Sequence, residues 1–196
     1  MECVIGIDLG GTTIKLGAYL VDGTCQGTIA VPTPQPSTPP LVLEAIIKGI
    51  RQLPSSANAQ AIGLGIPGPV DRSGKIAKVC INLDGWQGIP LGLWLEQRTN
   101  LPTILANDAN CAGMGEAWLG AGKGVKDLIL LTLGTGVGGA IVLDGHLFTG
   151  RDGAAGELGL MSINFDGYGC NSGNYGSLEQ YCSIRGLTRL SGHDPA

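Results

Sequence analysis

The first candidate for chemistry is a glycine-rich turn, DLGGT, at residues 8–12. Asp8 ends an apolar run and is followed by Gly10, Gly11 and Thr12. Glycines let backbone N–H groups approach a phosphate without a Cβ atom in the way, and a threonine hydroxyl can donate a further hydrogen bond. Asp8 can hold Mg²⁺ directly or through water, because this ion prefers a carboxylate together with waters and phosphates. Lys15, which follows this turn in the sequence, is a further candidate phosphate-binding residue.

A second glycine turn, GTGVGG, occupies residues 134–139. Its candidate phosphate-binding residues are Gly134, Thr135, Gly136 and Gly138, and Thr132 stands where the first turn has its aspartate. The turn satisfies G-x-G-x-x-G, but a dinucleotide fingerprint must open a helix, whereas AIVLDG predicts a strand and a hairpin. Both turns could also be plain tight hairpins. Their matching layout favours phosphate binding.

The third candidate is NDAN at residues 107–110, between a predicted strand and a predicted helix. Asparagine and aspartate at such a place commonly cap the helix. One capping residue is enough, so Asp108 is left as a candidate base that accepts a hydroxyl proton. Phosphoryl transfer depends on positioning more than on base strength, and an ordinary carboxylate can serve.

The hydrophobic pattern predicts the elements that position these residues. Strands are predicted at 4–8, 14–21, 61–66, 103–106, 128–133 and 140–143, and helices at 41–53, 91–97 and 109–119. Alternating strands and helices with two hairpins predict an α/β fold with mixed sheets. Residues 7–23 and 131–145 share one plan: strand, Gly-Thr turn, strand, Asp-Gly hairpin. This weak repeat predicts two half-sheets and two domains, 1–120 and 121–196.

Composition restricts the class of protein. The chain has 196 residues, of which 43% are hydrophobic and 14% charged, so it can bury a core. The net charge of −4 argues against a nucleic acid or an anionic membrane as partner. The longest charge-free apolar run, at 128–143, is shorter than the roughly 20 residues of a membrane span. Six cysteines without a CxxC pair, and no secretory signal, predict reduced thiols and a cytoplasmic location.

Seven motifs in one order carry a family resemblance. They are DLGGTTIKLG, GIPGPVD, NLDGW, NDAN, LGTGVGGAIV, GAAGELG and a closing GxxGxxE at 173–179. Together they resemble the ROK family (repressors, open reading frames and sugar kinases) within the actin/hexokinase-like ATPases, and within it the glucokinases and related hexose kinases. The resemblance covers essentially the whole chain. It implies ribonuclease H-like mixed sheets arranged in two lobes, the second of them incomplete.

The resemblance also implies roles for residues that match its motifs. Asp8, Gly10, Gly11 and Thr12 match the first phosphate motif, and the 134–138 glycines with Thr135 match the second. Asp108 matches the catalytic aspartate. The implied sugar-binding residues are Gly68, Asn82, Asn107, Asp108, Glu157 and Glu179. For the two glutamates, the residues alone favour ordinary solvated side chains.

One departure from the family concerns a metal. The family often has a zinc site of one histidine and three cysteines, read as GELGH followed by CxCGxxGCxE. This chain has Leu160 in place of the histidine, and Cys170, Ser172 and Ser177 in place of the cysteines. Serine is a poor Zn²⁺ ligand, and neither His146 nor His193 is suitably placed, so no structural zinc is expected.

The other departure is length. Family kinases are longer and include a later glycine-rich segment that holds adenosine, so the chain is expected to be a C-terminally truncated kinase. Repressor members carry a helix-turn-helix before the first phosphate motif, which here begins near residue 8, so a repressor is not expected. The resemblance implies an ATP- and Mg²⁺-dependent hexokinase, most simply a glucokinase, that is a homo-oligomer at full length. The alternative is a sugar-binding protein impaired in catalysis.

Overall fold

The computed structural model describes residues 2–80 and 82–192. Two compact units make up the chain, Met1–Cys111 and Ala112–Ala196. The first compact unit ends at Cys111. The domain boundary predicted near residue 120 stays a prediction. His193, considered above as a possible metal ligand, lies outside the described residues.

The first unit is built on a five-stranded mixed sheet. Its elements in chain order are β1 (Cys3–Leu9), β2 (Thr13–Tyr19), β3 (Cys25–Pro32), α1 (Pro39–Gln52), β4 (Ala59–Ile66), β5 (Ala77–Val79), β6 (Gln87–Ile89), α2 (Leu91–Thr99), β7 (Thr103–Asn107) and the start of α3 (Asp108–Trp118). The strand order is β3-β2-β1-β4-β7. β1, β2 and β3 are antiparallel neighbours, while β1, β4 and β7 run parallel. The predicted mixed α/β fold is confirmed.

Alternating side chains on β1 separate the core from the site. Cys3, Ile5, Ile7 and Leu9 are buried, while Asp8 between the last two is exposed. The four buried residues of β1 pack in one hydrophobic core with the apolar face of α1, which includes Val42, Ile46 and Ile50. Burying each such side chain contributes on the order of 1.5–3 kcal/mol. The pattern therefore fixes which face of β1 presents its carboxylate.

The parallel strands end at one edge of the sheet. Asp8 pairs in register with Gly65 of β4, and Gly65 pairs with Ala106 of β7. The first glycine turn follows β1, and Asp108 follows β7 directly as the first residue of α3. The carboxyl ends of parallel strands are where open α/β sheets bind ligands. The fold thus brings two separate sequence motifs to the same edge.

The second unit is built on a three-stranded antiparallel sheet. Its elements are β8 (Leu128–Leu133), β9 (Val137–Leu143), β10 (His146–Leu147), a single 3₁₀ turn (Leu158–Leu160), α4 (Glu179–Cys182) and α5 (Ile184–Ser191). The strand order is β10-β9-β8. Ser183 caps α5, because its Oγ accepts the N–H of Gly186 at 3.1 Å. No helix among residues 2–80 and 82–192 is both long and apolar enough to cross a bilayer.

The predicted internal repeat has the same local topology in both units. β1-β2-β3 and β8-β9-β10 are antiparallel meanders, each with a glycine turn first and an Asp-Gly turn second. Asp144 and Gly145 both have positive φ, 49° and 79°, which an Asp-Gly pair tolerates. Four strands went unpredicted: β3, β5, β6 and β10. β3 is an edge strand with no fully buried residue, and only Ile29 and Val31 alternate as large apolar side chains, which is too short a pattern to predict a strand.

Candidate functional site

The first glycine turn leaves two consecutive N–H groups without an acceptor among the described residues, those of Gly11 and Thr12. The N–H of Gly10 is already committed, since it donates to the carbonyl oxygen of Thr13 at 3.1 Å. The Thr33 hydroxyl donates to the Gly10 carbonyl at 2.7 Å and fixes the turn from outside. A Cβ atom at Gly10 would lie 2.8 Å from the Thr13 oxygen, so glycine is required there. Gly10 therefore closes the turn, and its two successors offer donors to an anion.

Asp8 and Lys15 lie side by side on the exposed face of the first hairpin. They are cross-strand partners, with Lys15 Nζ 3.9 Å from Asp8 Oδ2, and both side chains are more than half exposed. A single open carboxylate of this kind fits Mg²⁺, which takes its remaining ligands from water and phosphate. Among the residues that the structure describes, no group of three acidic, histidine or cysteine side chains forms a ready-made metal cage.

The sequence left open whether Asn107 and Asp108 cap α3 or take part in chemistry, and the structure gives them different hydrogen bonds. Asn107 Oδ1 accepts the N–H of Asn110 at 3.1 Å, which is a capping bond for α3. Asp108 Oδ1 accepts the N–H of Ala109 at 2.8 Å. A Cβ atom at Gly65 would lie 3.5 Å from Asp108 Cα, at ordinary van der Waals distance, so β4 runs directly beside the start of α3. Because Asn107 caps the helix, Asp108 is available for chemistry.

The environment of Asp108 favours its protonated form. Partial burial raises the pKa of the Asp108 carboxyl group, the N–H of Ala109 opposes this, and the negative charge of Asp8 raises the pKa further. The charge of Asp108 also acts on a neighbouring thiol. Burial, reinforced by this charge, raises the pKa of Cys80 to about 12. Asp108 is thus a stronger proton acceptor than an ordinary aspartate.

Asn82 lies near the first glycine turn, and Gly68 packs against the segment just before Asn82. A Cβ atom at Gly68 would be only 2.0 Å from the carbonyl oxygen of Val79, so this loop packs backbone to backbone. The carbonyl oxygen of Asn82 lies 3.9 Å from the position of a Cβ at Gly11. The main chain of Asn82 therefore lies beside the first glycine turn, and its role in sugar binding stays a prediction.

Side chains that the sequence analysis missed hold the Asn82 loop in place. Asp84 Oδ2 accepts both the N–H and the hydroxyl of Ser37, at 2.7 and 2.9 Å. The buried Trp86 indole donates to the Ser37 carbonyl at 2.7 Å. The motif NLDGW contains both residues, but their partner lies in the proline-rich loop 32–40, which carries no sequence signal for such a contact.

The second glycine turn again leaves two consecutive N–H groups without an acceptor among the described residues, those of Thr135 and Gly136. The N–H of Gly134 donates to the Gly136 carbonyl at 3.0 Å. The N–H of Val137 donates to Glu179 Oε2 at 3.0 Å. Gly138 is part of β9, paired with Thr132. The two turns therefore present the same pair of adjacent donors.

Glu157 and Glu179, both predicted to bind sugar, lie against this second turn. A Cβ atom at Gly136 would be 2.5 Å from Glu179 Oε2. Glu157 is exposed and follows Gly156, whose carbonyl oxygen would be 2.4 Å from a Cβ at Gly139. Glycines at 136 and 139 thus allow both acidic segments to approach. Of these two glycines, the sequence analysis named only Gly136, and only for phosphate binding.

A cavity of about 290 Å³ adjoins the same turn. It is lined by Thr135, Ile184, Arg185 and Thr188. The N–H of Ile184 donates to the Gly134 carbonyl at 2.8 Å, which ties the start of α5 to the turn. An exposed guanidinium beside free N–H donors suits an anion. Arg185 was missed because only its distance from the turn in space, not its sequence context, marks it.

The residues at the family's zinc position do not fit a zinc ion. Leu160, Ser172 and Ser177 supply no zinc-binding side chain, and Cys170 alone remains. Asn174 organises this loop instead. Its side-chain Nδ2 donates to the Leu160 carbonyl at 2.6 Å, and its main-chain carbonyl oxygen accepts the N–H of Cys170 at 2.9 Å.

Comparison with known proteins decides the family. The family model described as ROK family matches residues 4–196. This chain belongs to the ROK family. It is 38% identical over 187 residues to a glucokinase of Thermotoga maritima, covering 95% of this chain and 59% of that protein. The ROK chain therefore spans about three fifths of the length of that relative.

A solved structure agrees with the fold. The crystal structure of a ROK family glucokinase from Streptomyces griseus in complex with glucose and AMPPNP superposes with a TM-score of 0.83 at 38% identity, covering 96% of this chain and 59% of that one. The actin/hexokinase-like class is confirmed. A xylose repressor of Caldicellulosiruptor bescii is also 38% identical, over 148 residues, covering 75% of this chain and 37% of that protein. Family membership alone thus leaves kinase and regulator both open.

Proposed function

We propose that this ROK chain is the phosphate- and sugar-binding part of a hexose kinase, which transfers the γ-phosphoryl group of ATP to the 6-hydroxyl of glucose. The observation that carries the proposal is the position of Asp108. It starts α3 at the same sheet edge as Asp8 and the turn donors of Gly11 and Thr12, and its pKa is raised. A site that only binds sugar needs no basic carboxylate beside a phosphate turn.

In this mechanism Asp108 accepts the proton of the sugar hydroxyl while the hydroxyl oxygen attacks the γ-phosphorus. The bond between that phosphorus and the bridging oxygen breaks, and ADP leaves with the bonding electrons. Because the transition state is loose, the aspartate is needed late and acts chiefly by orienting the hydroxyl. Its raised pKa makes the proton transfer more favourable.

The phosphates would be held by main-chain donors and by cations. Each glycine turn contributes two adjacent N–H groups, and Lys15 and Arg185 add positive charge in their respective units. Mg²⁺ bound through Asp8 would neutralise phosphate charge. In the same proposal, Asn82, Asn107, Glu157 and Glu179 bind sugar hydroxyls, and Gly68 lets its loop pack closely. Carboxylates suit this role because they accept charge-assisted hydrogen bonds.

A second candidate is a sugar-responsive protein without catalysis. It is supported by the 38% identity to a xylose repressor over 148 residues. Such a protein would keep the sugar ligands while the proton acceptor at position 108 would be idle.

The two candidates are separated by assaying sugar phosphorylation with the 196-residue chain and its Asp108→Asn variant. The kinase proposal expects ATP-dependent turnover of glucose that falls by at least about 100-fold in the variant, while glucose still raises the melting temperature. Asp22→Asn, in a distant turn of the same unit, is the matched control and should keep full turnover. Thermal stabilisation by glucose with no turnover from either ATP or polyphosphate would support the second candidate instead.

A further inference from the structure

A short loop after β3 lies against the first glycine turn. This segment, residues 33–37, is here named the 33–37 loop. It donates hydrogen bonds to three consecutive carbonyl oxygens of the turn, those of Gly10, Gly11 and Thr12. The hydroxyl and the N–H of Thr33 donate to the first and the third, at 2.7 and 2.9 Å, and Gln35 Nε2 donates to the second at 3.3 Å. Two residues of one loop therefore hold the carbonyl side of the turn.

These contacts orient the two free donors of the turn. In a planar trans peptide, such as those of this turn, the C=O group and the following N–H group point in opposite directions. Holding the carbonyls of Gly10 and Gly11 therefore directs the N–H groups of Gly11 and Thr12 away from the 33–37 loop. These are the two consecutive N–H groups without an acceptor among the described residues. The loop thus sets the direction of the donors that are proposed to bind phosphate.

The other end of the 33–37 loop is fixed to the Asn82 loop, residues 82–86. The N–H and the hydroxyl of Ser37 donate to Asp84 Oδ2 at 2.7 and 2.9 Å. The same hydroxyl oxygen accepts the N–H of Asp84 at 3.0 Å, and the Ser37 carbonyl accepts the indole N–H of Trp86 at 2.7 Å. Every polar group of Ser37 is therefore used to join the two loops.

The link between the two loops is charge-assisted and partly shielded from water. The N–H and the hydroxyl of Ser37 lower the pKa of the exposed Asp84 carboxyl group, so Asp84 is ionised at neutral pH. Hydrogen bonds to an ionised acceptor are stronger than neutral ones. Ser37 and Trp86 are each only 3% exposed. Removing the carboxylate would leave a buried N–H and a buried hydroxyl without their acceptor, which is costly.

We propose that the 33–37 loop couples phosphate binding to sugar binding in the first unit, with Ser37 and Asp84 as its positioning residues. One end of the loop aims the two free N–H groups of the glycine turn, and the other end holds the segment that carries Asn82. A ligand that orders one end reduces the cost of ordering the other, so each ligand favours binding of the other. The inference rests on the proposed function, because phosphate and sugar are taken as the two ligands.

The first test needs no ligand. Amide hydrogen exchange is followed residue by residue by NMR in the wild type and in Asp84→Ala. The N–H groups of Gly10 and Thr33, which are both bonded within or to the turn, should exchange at least about tenfold faster in the variant. The N–H of Ile62, which donates to the Pro102 carbonyl at 2.8 Å, is the internal reference and should keep its rate. Unchanged exchange at the turn, or equal acceleration at all three groups, would overturn the inference.

Further variants separate this link from a general loss of hydrogen bonds. Asp84→Asn keeps an oxygen that can accept from Ser37, so it should restore most of the protection from exchange. Ser37→Ala should act like Asp84→Ala and replaces it if that variant does not fold. Ser73→Ala is the matched control, because it removes a serine hydroxyl bond to Asp71 two residues away. It should leave the turn unchanged, and equal loosening by both serine variants would contradict the link.

The second test measures the coupling itself. The dissociation constant of glucose is determined by calorimetry with and without a non-hydrolysable ATP analogue and Mg²⁺. The analogue should tighten glucose binding at least about fivefold in the wild type and less than about twofold in Asp84→Ala. Equal coupling in the two chains would overturn the inference. If the wild type binds no glucose, the proposed function fails, whereas the positioning role of Asp84 stands or falls on the exchange test.

Discussion

At the scale of the residue, the main finding is the division of work between Asn107 and Asp108. Asn107 satisfies the backbone at the start of α3, so Asp108 is not needed as a cap. The carboxyl group of Asp108 lies in the field of Asp8 and is partly desolvated, and both effects favour its neutral form. A carboxyl group whose pKa is raised by burial and by a nearby negative charge is typical of a functional position.

A pH-dependent stability difference follows from that raised pKa. The folded chain binds the Asp108 proton more tightly than the unfolded chain does, so ionisation of this group costs stability above its folded-state pKa. The cost disappears below the ordinary aspartate pKa of about 3.9, where both states are protonated. Asp108→Asn should therefore melt a few degrees higher than the wild type at neutral pH, with the gap closing as the pH falls toward 4.

Asp22→Asn is the control with the opposite sign. Hydrogen bonds from Thr24 lower the pKa of Asp22, so its ionised form stabilises the fold and its replacement should not raise the melting temperature. Thermal unfolding of the three chains across this pH range measures both effects. An Asp108→Asn variant that is less stable at neutral pH would show that the carboxylate is structurally favourable, against the burial argument.

At the scale of the element, the two glycine turns share a construction that their sequences do not show. In each turn the first glycine N–H is tied to a nearby carbonyl, and the two following N–H groups have no acceptor among the described residues. The turns differ in what supports them. Thr33 fixes the first turn from a neighbouring loop, whereas Glu179 fixes the second through the N–H of Val137.

Gly136→Ala should weaken sugar binding by displacing Glu179. The new methyl group would lie 2.5 Å from Glu179 Oε2, so the carboxylate must move and lose its bond to Val137. If Glu179 binds the sugar, the displaced carboxylate loses a hydrogen bond to it, and a loss of about 1–1.5 kcal/mol corresponds to roughly tenfold in glucose affinity. Titration calorimetry or a thermal-shift titration with glucose measures it.

Gly134→Ala is the matched control, since nothing lies within 4 Å of a Cβ atom at Gly134. This variant should bind glucose like the wild type and melt at a similar temperature. If both variants bind glucose normally, Glu179 is either not a sugar ligand or not positioned by the turn.

Local sequence signals predicted the elements that carry the site and missed those without such signals. The Asp-Gly pairs, the glycine turns and the alternation on β1 are encoded within a few neighbouring residues. β3 was missed because its residues are largely exposed, and β5, β6 and β10 because they are only two or three residues long. The Ser37–Asp84 bonds and the approach of Arg185 to Thr135 join distant residues, and one sequence contains no signal for such pairs.

At the scale of the whole molecule, the chain carries much exposed apolar surface. Alternate residues of the edge strand β8, Ile129, Leu131 and Leu133, are 67%, 44% and 66% exposed. They lie on one face of the strand, and contiguous exposed apolar groups on a protein mark surfaces that bind other apolar molecules. This face therefore differs from an ordinary water-facing sheet surface.

The exposed face of β8 should bind a hydrophobic fluorescent dye while the chain is folded. Replacing both Ile129 and Leu133 by threonine puts a β-branched side chain suited to a strand at each position and removes much of the apolar area. We expect dye fluorescence to fall clearly in this double variant. Val21→Thr, which alters a single residue that is 80% exposed in a turn, should leave the fluorescence unchanged. Equal fluorescence in all chains would locate the dye site elsewhere.

The paired N–H groups of the two turns belong to the main chain, and this has a consequence for how the sequence can vary. Almost any residue supplies an N–H, so replacing a side chain there leaves the donor in place. Only proline deletes it. The tolerance of these positions to substitution is therefore set by the room left for a side chain and by the path of the backbone. An inactive descendant of this chain could keep both turns unchanged, and the loss would be visible only at Asp108.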